Sequence, residues 1–228
     1  MNTHRKLIVF IGPPGAGKGT LSQFFVERLH CNQLSTGNLL RRHIQEGTDL
    51  GKSIDLALKS GKLVSDDHVI AMVVDWLDNH TRDGRPIILD GFPRTRAQAK
   101  ALDEALSELT AALFQVAVVL MELSDEEAAR RILTRLVCSK SSCQAVYSTA
   151  DFDASRETMP ICLRCDARLS RRSDDIPEAL TSRFSIYRQH EKEIMEYYRT
   201  SQAPIITIAM NKDPETLFVE VQKRLAEI

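Results

Sequence analysis

The sequence predicts an α/β protein built on a doubly wound, parallel, five-stranded sheet. Short apolar runs rich in β-branched residues recur along the chain, as is typical of strands buried on both faces. Between them lie segments whose apolar residues are spaced by three or four, as on one face of a helix. A glycine-rich loop joins the first such strand to the first such helix. Alternation of strand and helix is typical of a parallel sheet covered by helices on both sides.

The predicted strands are four clear apolar runs and one short run. In chain order they are residues 7–11, 31–34, 86–89, 115–123 and 204–209. The short run begins at Cys31. We expect this cysteine to be a small core residue instead of a reactive thiol, because free cysteine in apolar surroundings behaves as a small hydrophobe.

Helical periodicity predicts five helices. They span residues 21–29, 97–109, 125–136, 176–198 and 214–225. Ser124 and Asp213 directly precede two of them, and both residue types are favoured N-caps. Two segments break the alternation of strand and helix. Residues 35–67 suggest short helices, and residues 137–173 are polar, contain four cysteines and show no helical period, so both are expected to be functional or separately folded insertions.

Composition excludes several classes of protein. The chain has 228 residues, of which 43% are hydrophobic and 27% charged, within the ordinary range for a globular protein. A formal net charge of −1 argues against binding nucleic acid or an anionic membrane through bulk charge. No apolar run approaches the roughly 18 residues that span a bilayer, and the first six residues lead into a strand too short for a signal sequence. We therefore expect a cytoplasmic protein.

Residues 12–20, with the sequence GPPGAGKGT, indicate a phosphate-binding loop. Glycines allow several backbone N–H groups to point at one anion, and the following helix presents its positive end. Lys18 is expected to bridge the terminal phosphates. The usual pattern places Ser or Thr directly after the lysine to hold Mg²⁺, but here Gly19 intervenes before Thr20. The metal would then be held by phosphates, water and a carboxylate elsewhere. A tight strand-to-helix turn without function is the alternative interpretation.

Asp90 and Arg94 lie just past the predicted strand 86–89, at the sheet edge where open α/β sheets bind their ligands. Asp90 could orient the water shell of Mg²⁺, and Arg94 could make a forked contact with a phosphate. The alternative is a turn with an exposed arginine. Further arginines are candidates for the same pocket, although a single arginine on a helix face is usually only solvated. They are Arg41, Arg131, Arg135, Arg172 and Arg183, and we expect Arg131 and Arg135 to share one face of the predicted helix 125–136.

In order and spacing, these motifs resemble those of the adenylate kinases. The matching segments are residues 12–20, 35–41 (STGNLLR), 61–64 (GKLV), 90–95 (DGFPRT) with Gln98, Arg131 with Arg135, and 172–175 (RSDD) with Arg183. The resemblance covers residues 7 to about 225 and is to the form with a long lid. It implies a sheet of the P-loop NTPase type with two insertions. The core would comprise residues 1–34, 65–135 and 173–228, the AMP-binding segment residues 35–64, and the lid residues 136–172.

The resemblance implies reversible transfer of the γ-phosphoryl group from MgATP to AMP, which gives two ADP and serves adenine nucleotide homeostasis. No covalent intermediate is expected, so catalysis would consist of positioning and charge neutralisation. By resemblance, residues 35–64 close over AMP and the lid closes over ATP, which keeps water from the γ-phosphate. A single-domain kinase that closes around its substrates is expected to be a monomer without nucleic-acid or membrane partners.

The family's roles carry over by position. The catalytic residues would be Lys18, Asp90, Arg94, Arg131, Arg172 and Arg183. The ATP-binding residues would be Gly15, Ala16, Gly17, Lys18, Gly19, Thr20, Arg131 and Arg135. The AMP-binding residues would be Thr36, Arg41, Leu63, Val64, Gly91, Arg94, Gln98, Arg172 and Arg183. Without the resemblance, Thr36 would be interpreted as a helix cap and Gln98 as a solvent-facing helix residue.

Four cysteines in the lid indicate a structural zinc site. Cys138 and Cys143 are separated by four residues and Cys162 and Cys165 by two, which fits the paired spacing of a Cys₄ site. A polar lid of this size has little core of its own, and a zinc crosslink would compensate. Disulfides or unligated thiols remain alternatives.

Some positions depart from the family pattern, and rival functions follow. Asn38 stands where aspartate is common, the first cysteine pair is wider than usual, and Tyr147 is followed by Ser148 where histidine is frequent. We expect these changes to affect lid stability, metal affinity and the details of the adenine site. A sister nucleoside monophosphate kinase that uses GTP as donor is the nearest rival. A hydrolytic P-loop ATPase is disfavoured because no water-positioning residue is recognisable, and a zinc-ribbon binding protein with a nucleotide sensor is the rival from another class.

Overall fold

The computed structural model describes residues 5–48, 51–52, 54–55, 64–110, 114–140, 143, 145–152 and 160–228. Its strands are β1 (Arg5–Ile11), β2 (Asn32–Ser35), β3 (Ile87–Asp90), β4 (Phe114–Glu122), β5 (Arg135–Cys138), β6 (Val146–Ser148), β7 (Leu169–Ser170) and β8 (Ile205–Ala209). Its helices are α1 (Lys18–Leu29), α2 (Thr36–Gln45), α3 (Asp66–His80), α4 (Arg96–Thr110), α5 (Asp125–Leu133), α6 (Pro177–Thr200) and α7 (Pro214–Ala226). A single 3₁₀ turn, Thr149–Asp151, follows β6.

Five of the strands form one parallel sheet in the order β2-β3-β1-β4-β8, which confirms the predicted fold class. Alternate residues of β1 face opposite layers, as the two-residue period of a strand requires. Leu7 and Val9 pack with α3, α4 and α6, whereas Ile8 and Phe10 pack with α1 and α7. Both faces of the sheet are therefore covered, which explains why its strands are almost continuously apolar.

The predicted N-caps are confirmed. The Ser124 side chain accepts a hydrogen bond from the backbone N–H of Glu127 at the start of α5. The Asp213 side chain accepts one from the backbone N–H of Thr216 at the start of α7. Cys31 is 4% exposed, and burial raises its pKa to about 11, in agreement with a small and unreactive core residue.

Helix α5 is shorter than predicted. It ends at Leu133, and Arg135 opens strand β5, so the expectation that Arg131 and Arg135 share one helix face was wrong. The reason is pairing with a distant segment, because Arg135 lies opposite Ser148 of β6 in an antiparallel ladder. Helix α3 was not predicted at all, although its buried residues Val69, Val73 and Leu77 recur every four positions.

A second, antiparallel sheet of three short strands, in the order β6-β5-β7, lies largely within the segment that the sequence set apart as polar. It has its own small apolar cluster, in which Leu136 and Leu169 pack with cysteines of the segment. Tyr147 and Phe152 stack edge to face beside that cluster. Within the described residues, no helix is both long and apolar enough to cross a bilayer.

Candidate functional site

A cavity of about 460 Å³ opens at the carboxyl edge of the parallel sheet, where such sheets bind their ligands. Among the described residues, nine basic and three acidic side chains line it, although the whole chain carries a formal net charge of −1. The basic residues are Lys18, Arg41, Arg94, Arg130, Arg131, Arg135, Arg172, Arg183 and Lys212. The positive charge is thus concentrated in one place, and the volume and polarity suit a polyanionic small molecule.

The glycine-rich loop between β1 and α1 forms one wall of this cavity. Gly15 and Gly17 have φ angles of +84° and +90°, which residues with a side chain rarely adopt. A Cβ on Gly15 would also lie 2.6 Å from the carbonyl oxygen of Ala128 in α5. Of the predicted loop residues, Gly15, Gly17, Lys18, Gly19 and Thr20 line the cavity, whereas Ala16 is fully buried beneath them.

Lys18 lies inside the curve of the loop. Its ammonium donates hydrogen bonds to the carbonyl oxygens of Gly12, at 2.7 Å, and Pro13, at 3.0 Å. Burial lowers the pKa of Lys18 to about 8, although the neighbouring Asp90 carboxylate acts in the opposite direction. An anion placed against this ammonium would stabilise its charged form.

Asp90 ends β3 and faces the loop. The Ser35 hydroxyl, at the end of neighbouring β2, donates to Asp90 Oδ2 at 3.1 Å. A Cβ on Gly19 would lie 3.4 Å from the same oxygen, so the loop passes close to this carboxylate. The parallel register of β1, β2 and β3 therefore places Asp90 beside the phosphate loop, as the sequence predicted.

Arg94 enters the cavity from the turn after β3. Its Nε donates to the carbonyl oxygen of Gly91 at 2.8 Å, which leaves the other guanidinium N–H groups available to a ligand. The side chain is accessible through the mouth of the cavity, yet protein surrounds it on most sides, and burial lowers its pKa. Gly91 also lines the cavity.

Arg41 and Arg172 approach from α2 and from the segment before α6. Arg41 donates to the Asn38 side-chain oxygen at 2.7 Å, and burial lowers its pKa to about 10. The Arg172 guanidinium makes no hydrogen bond to a described residue, although the Arg172 carbonyl oxygen accepts one from the backbone N–H of Asp175. Burial, followed by the charges of Arg41 and Arg135, holds the pKa of Arg172 well below its usual range. Mutually repelling guanidiniums of this kind favour an anion between them.

The carboxylates of Asp174 and Asp175 hold Arg135 and Arg183 in place. Arg135 makes a forked contact with Asp175, at 2.8 Å from Nε and 2.5 Å from Nη2. The Asp175 side chain is only 1% exposed. Arg183 donates to the backbone carbonyl of Asp174 at 2.9 Å and lies 3.4 Å from carboxylate oxygens of Asp174 and Asp175. The pair of carboxylates thus orients both guanidiniums toward the cavity.

Arg131 is held by groups that the sequence did not single out. Its Nε donates to Glu127 Oε1, one turn earlier on α5, and its Nη2 donates to the carbonyl oxygen of Met210, each at 2.8 Å. Met210 and Lys212 directly follow β8 and line the cavity. Their position at the carboxyl edge of the sheet was the signal that could have identified them.

The predicted AMP contacts divide into three groups. Val64 is partly buried and packs against the main core cluster. Thr36 and Gln98 are 3% and 2% exposed and do not line the cavity. The Thr36 hydroxyl donates to the carbonyl oxygen of Gly91 at 2.8 Å. The alternative interpretation of Gln98 as a solvent-facing helix residue is wrong, because its side chain is buried. Leu63 lies outside the described residues.

The four lid cysteines converge. Their sulfur atoms all lie within 4.8 Å of one another, with Cys138 and Cys165 at 3.5 Å and Cys143 and Cys162 at 3.7 Å. A tetrahedral zinc with bonds of about 2.3 Å requires sulfurs roughly 3.8 Å apart, whereas a disulfide requires about 2.05 Å. All four are free thiols, so the donor set fits a metal and contains no disulfide.

Tyr147 supports one of these thiols. Its hydroxyl lies 3.5 Å from the Cys162 sulfur. Burial acts to raise the pKa of Cys162, but hydrogen bonds from the tyrosine and from backbone N–H groups outweigh it and lower that pKa to about 6. Burial raises the pKa of Cys138 to about 12. These hydrogen bonds thus favour the thiolate of Cys162, the form in which cysteine binds metal.

Comparison with known proteins identifies the family. The family model for adenylate kinase matches residues 10–203. The adenylate kinase of Archaeoglobus fulgidus is 36% identical over 221 residues, which cover 97% of this chain and 98% of that protein. The adenylate kinase of Streptomyces coelicolor is 37% identical over 202 residues, which cover 89% of this chain and 90% of that protein. The adenylate kinase of Thermosipho africanus is 36% identical over 215 residues, which cover 94% of this chain and 96% of that protein. The chain therefore belongs to the adenylate kinase family, the enzymes of phosphoryl transfer between ATP and AMP that gives ADP.

Proposed function

We propose that this chain transfers the γ-phosphoryl group of MgATP directly to AMP, in line and without a covalent enzyme intermediate. The convergence of basic side chains from separate parts of the chain on one cavity carries this proposal. Two phosphate groups must approach each other for direct transfer, and their charges repel unless cations surround them. Among the described residues, the carboxylates at the cavity are too few to neutralise these cations, so the site is suited to two polyanions together.

On the donor side, the loop N–H groups and Lys18 would hold the β- and γ-phosphates of ATP. Arg131 and Arg135 face them across the cavity from α5 and β5. Guanidiniums that are already oriented by carboxylates and carbonyls can stabilise charge in the transition state without reorganising. Mg²⁺ would bridge the phosphates, and Asp90 is the carboxylate placed to order its water shell.

On the acceptor side, Arg41 and Arg94 would grip the AMP phosphate. Arg172 and Arg183 lie where they could hold the phosphoryl group in transfer, since both line the cavity and the Arg172 guanidinium makes no hydrogen bond to a described residue. The ribose and adenine would contact Thr36, Leu63, Val64, Gly91 and Gln98. Because Thr36 and Gln98 are buried in the present arrangement, AMP would reach them only when residues 35–64 move.

The lid would comprise residues 136–172 and close over ATP, while residues 1–34, 65–135 and 173–228 form the core. We assign Zn²⁺ to Cys138, Cys143, Cys162 and Cys165. Four thiolates leave no open coordination position, so this metal would be structural, crosslinking a segment whose own apolar cluster is small. The enzyme would act as a cytoplasmic monomer.

A panel of nucleotides tests the proposal. Formation of both nucleoside diphosphate products should be measured from ATP or GTP with each of AMP, GMP, CMP and UMP at matched concentrations. We expect selective turnover of ATP with AMP. Preference for GTP would reassign the chain to a sister kinase, and no transfer with any pair would refute the proposal.

A matched pair of variants tests the acceptor site. Arg94→Lys keeps the charge but loses the forked geometry, so the KM for AMP should rise about tenfold or more while the KM for ATP stays constant. Arg96→Lys, on an exposed residue two positions later, is the control and should change neither. An unchanged KM for AMP in Arg94→Lys would contradict the assigned contact.

A further inference from the structure

The side chain of Gln98 is held between two groups of opposite and fixed polarity. Its Oε1 accepts a hydrogen bond from the backbone N–H of Arg94 at 2.7 Å. Its Nε2 donates one to Asp66 Oδ1, also at 2.7 Å, across 32 positions of sequence. Gln98 is 2% exposed, so water does not substitute for either partner.

Asp66 is itself fixed in place. Its second carboxylate oxygen accepts a hydrogen bond from the Thr95 hydroxyl at 2.7 Å. The same hydroxyl accepts from the backbone N–H of Gln98 at 3.2 Å, as an N-cap of α4 does. Asp66 also lies in the first turn of α3, where the positive end of the helix favours a carboxylate.

These partners determine which way the amide of Gln98 points. A backbone N–H can only donate and a carboxylate can only accept, so the oxygen must face Arg94 and the nitrogen must face Asp66. The flipped amide would place a carbonyl oxygen against a carboxylate and an NH₂ group against an N–H. The orientation of this amide is therefore determined by its neighbours.

One N–H and one oxygen lone pair of the amide remain for a ligand, since each end has used one of its two sites. Adenine offers a donor at its 6-amino group and an acceptor at N1. Hypoxanthine and guanine offer the reverse, an acceptor at O6 and a donor at N1. A fixed amide can match only one of these patterns for a nucleotide anchored by its phosphate, whereas an amide that flips can match both.

We propose that Asp66 is a positioning residue that sets base specificity, because it holds the Gln98 amide in the one orientation that pairs with a 6-aminopurine and opposes a 6-oxopurine. This inference rests on the proposed assignment of Gln98 to the base of AMP. It adds a residue that touches no substrate but decides how a contacting side chain presents its donor and acceptor.

The test uses Asp66→Asn in the full-length chain. Asparagine keeps the size and one acceptor but can turn its own amide together with that of Gln98, so the flipped orientation is then opposed by the Arg94 N–H and no longer by a carboxylate. The readout is the kcat/KM for AMP divided by the kcat/KM for IMP. This ratio reports on positions 1 and 6 of the purine alone, because IMP has the 6-oxo pattern without the 2-amino group of GMP. Losing one orienting hydrogen bond to a charged group should lower this ratio about tenfold or more. The KM for ATP should not change.

Asp67→Asn is the matched control. Asp67 occupies the next position in the same helical turn and is exposed, so its replacement removes the same charge from the start of α3 without touching Gln98. The control should keep the ratio of the unaltered protein. Melting temperatures of both variants establish that each is folded, and Asp66→Ala provides a second variant in which the orienting acceptor is absent.

A ratio within twofold of the unaltered protein in both folded Asp66 variants would overturn the inference, and so would equal losses with AMP and IMP. Failure of the unaltered protein to phosphorylate AMP would instead overturn the proposed function. Calorimetric dissociation constants for AMP and IMP would still decide the role of Asp66 in that case, because they do not depend on turnover.

Discussion

Asp175 is the carboxylate on which the arginine cluster depends, and Asp175→Asn should destabilise the fold before any substrate is present. The residue is almost fully buried and accepts both hydrogen bonds of the Arg135 fork. It also lies 3.4 Å from the Arg183 guanidinium. Asparagine preserves the shape but removes the charge and one of the two acceptor oxygens that the fork requires.

The expected loss of stability follows from the burial of both Arg135 and Asp175. The Arg135 side chain is 14% exposed and that of Asp175 is 1% exposed, so solvent screening is weak. Removing one partner of a buried ion pair costs about 3–5 kcal/mol, because the other charge is left without compensation. For a chain of this length, that loss corresponds to a fall in melting temperature of roughly 6–20 °C. A bound polyphosphate supplies negative charge to the same arginines, so the deficit should shrink when ADP is added.

Differential scanning calorimetry with and without ADP measures both effects. Asp78→Asn is the control, since Asp78 pairs with Arg82 at 3.0 Å on the surface, where the side chains are 51% and 80% exposed. An exposed pair contributes at most about 1 kcal/mol. If Asp175→Asn lowered the melting temperature no more than the control does, the reasoning that the buried pair orients and stabilises the site would be refuted.

Three further predictions concern the loop and the lid. ATP binding at about pH 8.5 should take up protons, because burial lowers the pKa of Lys18 to about 8 and a bound phosphate favours the charged ammonium. Calorimetry in buffers of different ionisation enthalpy measures this uptake, and ATP affinity should fall as the pH rises from about 7 to 9. Lys18→Met should abolish both proton uptake and phosphoryl transfer. Metal analysis should find one zinc per chain, and chelation should lower the melting temperature more than it lowers turnover at low temperature. The absence of zinc together with an unchanged melting temperature would contradict the structural site. Cys31→Ser, the control, should keep the metal. Glu27→Gln should raise the KM for ATP by up to about fivefold, because Glu27 on α1 forms a solvent-exposed ion pair with Arg164 of the lid at 3.0 Å. Glu215→Gln is the control: it breaks the pair with Arg28 and should leave the KM for ATP unchanged.

Local chemistry explains why much of the fold could be predicted. The strands are buried on both faces, so each is a short apolar run that can be recognised without knowledge of its neighbours. Ser124 and Asp213 act within one turn of themselves, and cap prediction therefore needs only the adjacent residues. Positions 15 and 17 have positive φ angles that few residues other than glycine tolerate, so the phosphate loop could also be recognised from its sequence.

The errors arise where distant segments compete with local preference. Residues 125–136 have helical periodicity to their end, but Arg135 pairs with Ser148 and leaves the helix. The burial of Gln98 was not predicted either, because helix periodicity cannot show that Asp66 lies against it. In both cases the deciding partner is more than ten positions away, and a single sequence contains no signal of that contact.

The sequence by itself determined the five strands of the parallel sheet, the phosphate loop, the cysteine pairs and the residue types that could bind phosphate, because each depends on neighbours a few positions away. Only the tertiary structure decided that arginines from α2, β5, α5 and α6 face one cavity, that Asp175 is buried beneath them, and that Asp66 fixes the amide of Gln98. The physical reason is that burial and charge pairing depend on which surfaces the crossover connections of the sheet bring together, and those contacts are made across the fold instead of along the chain.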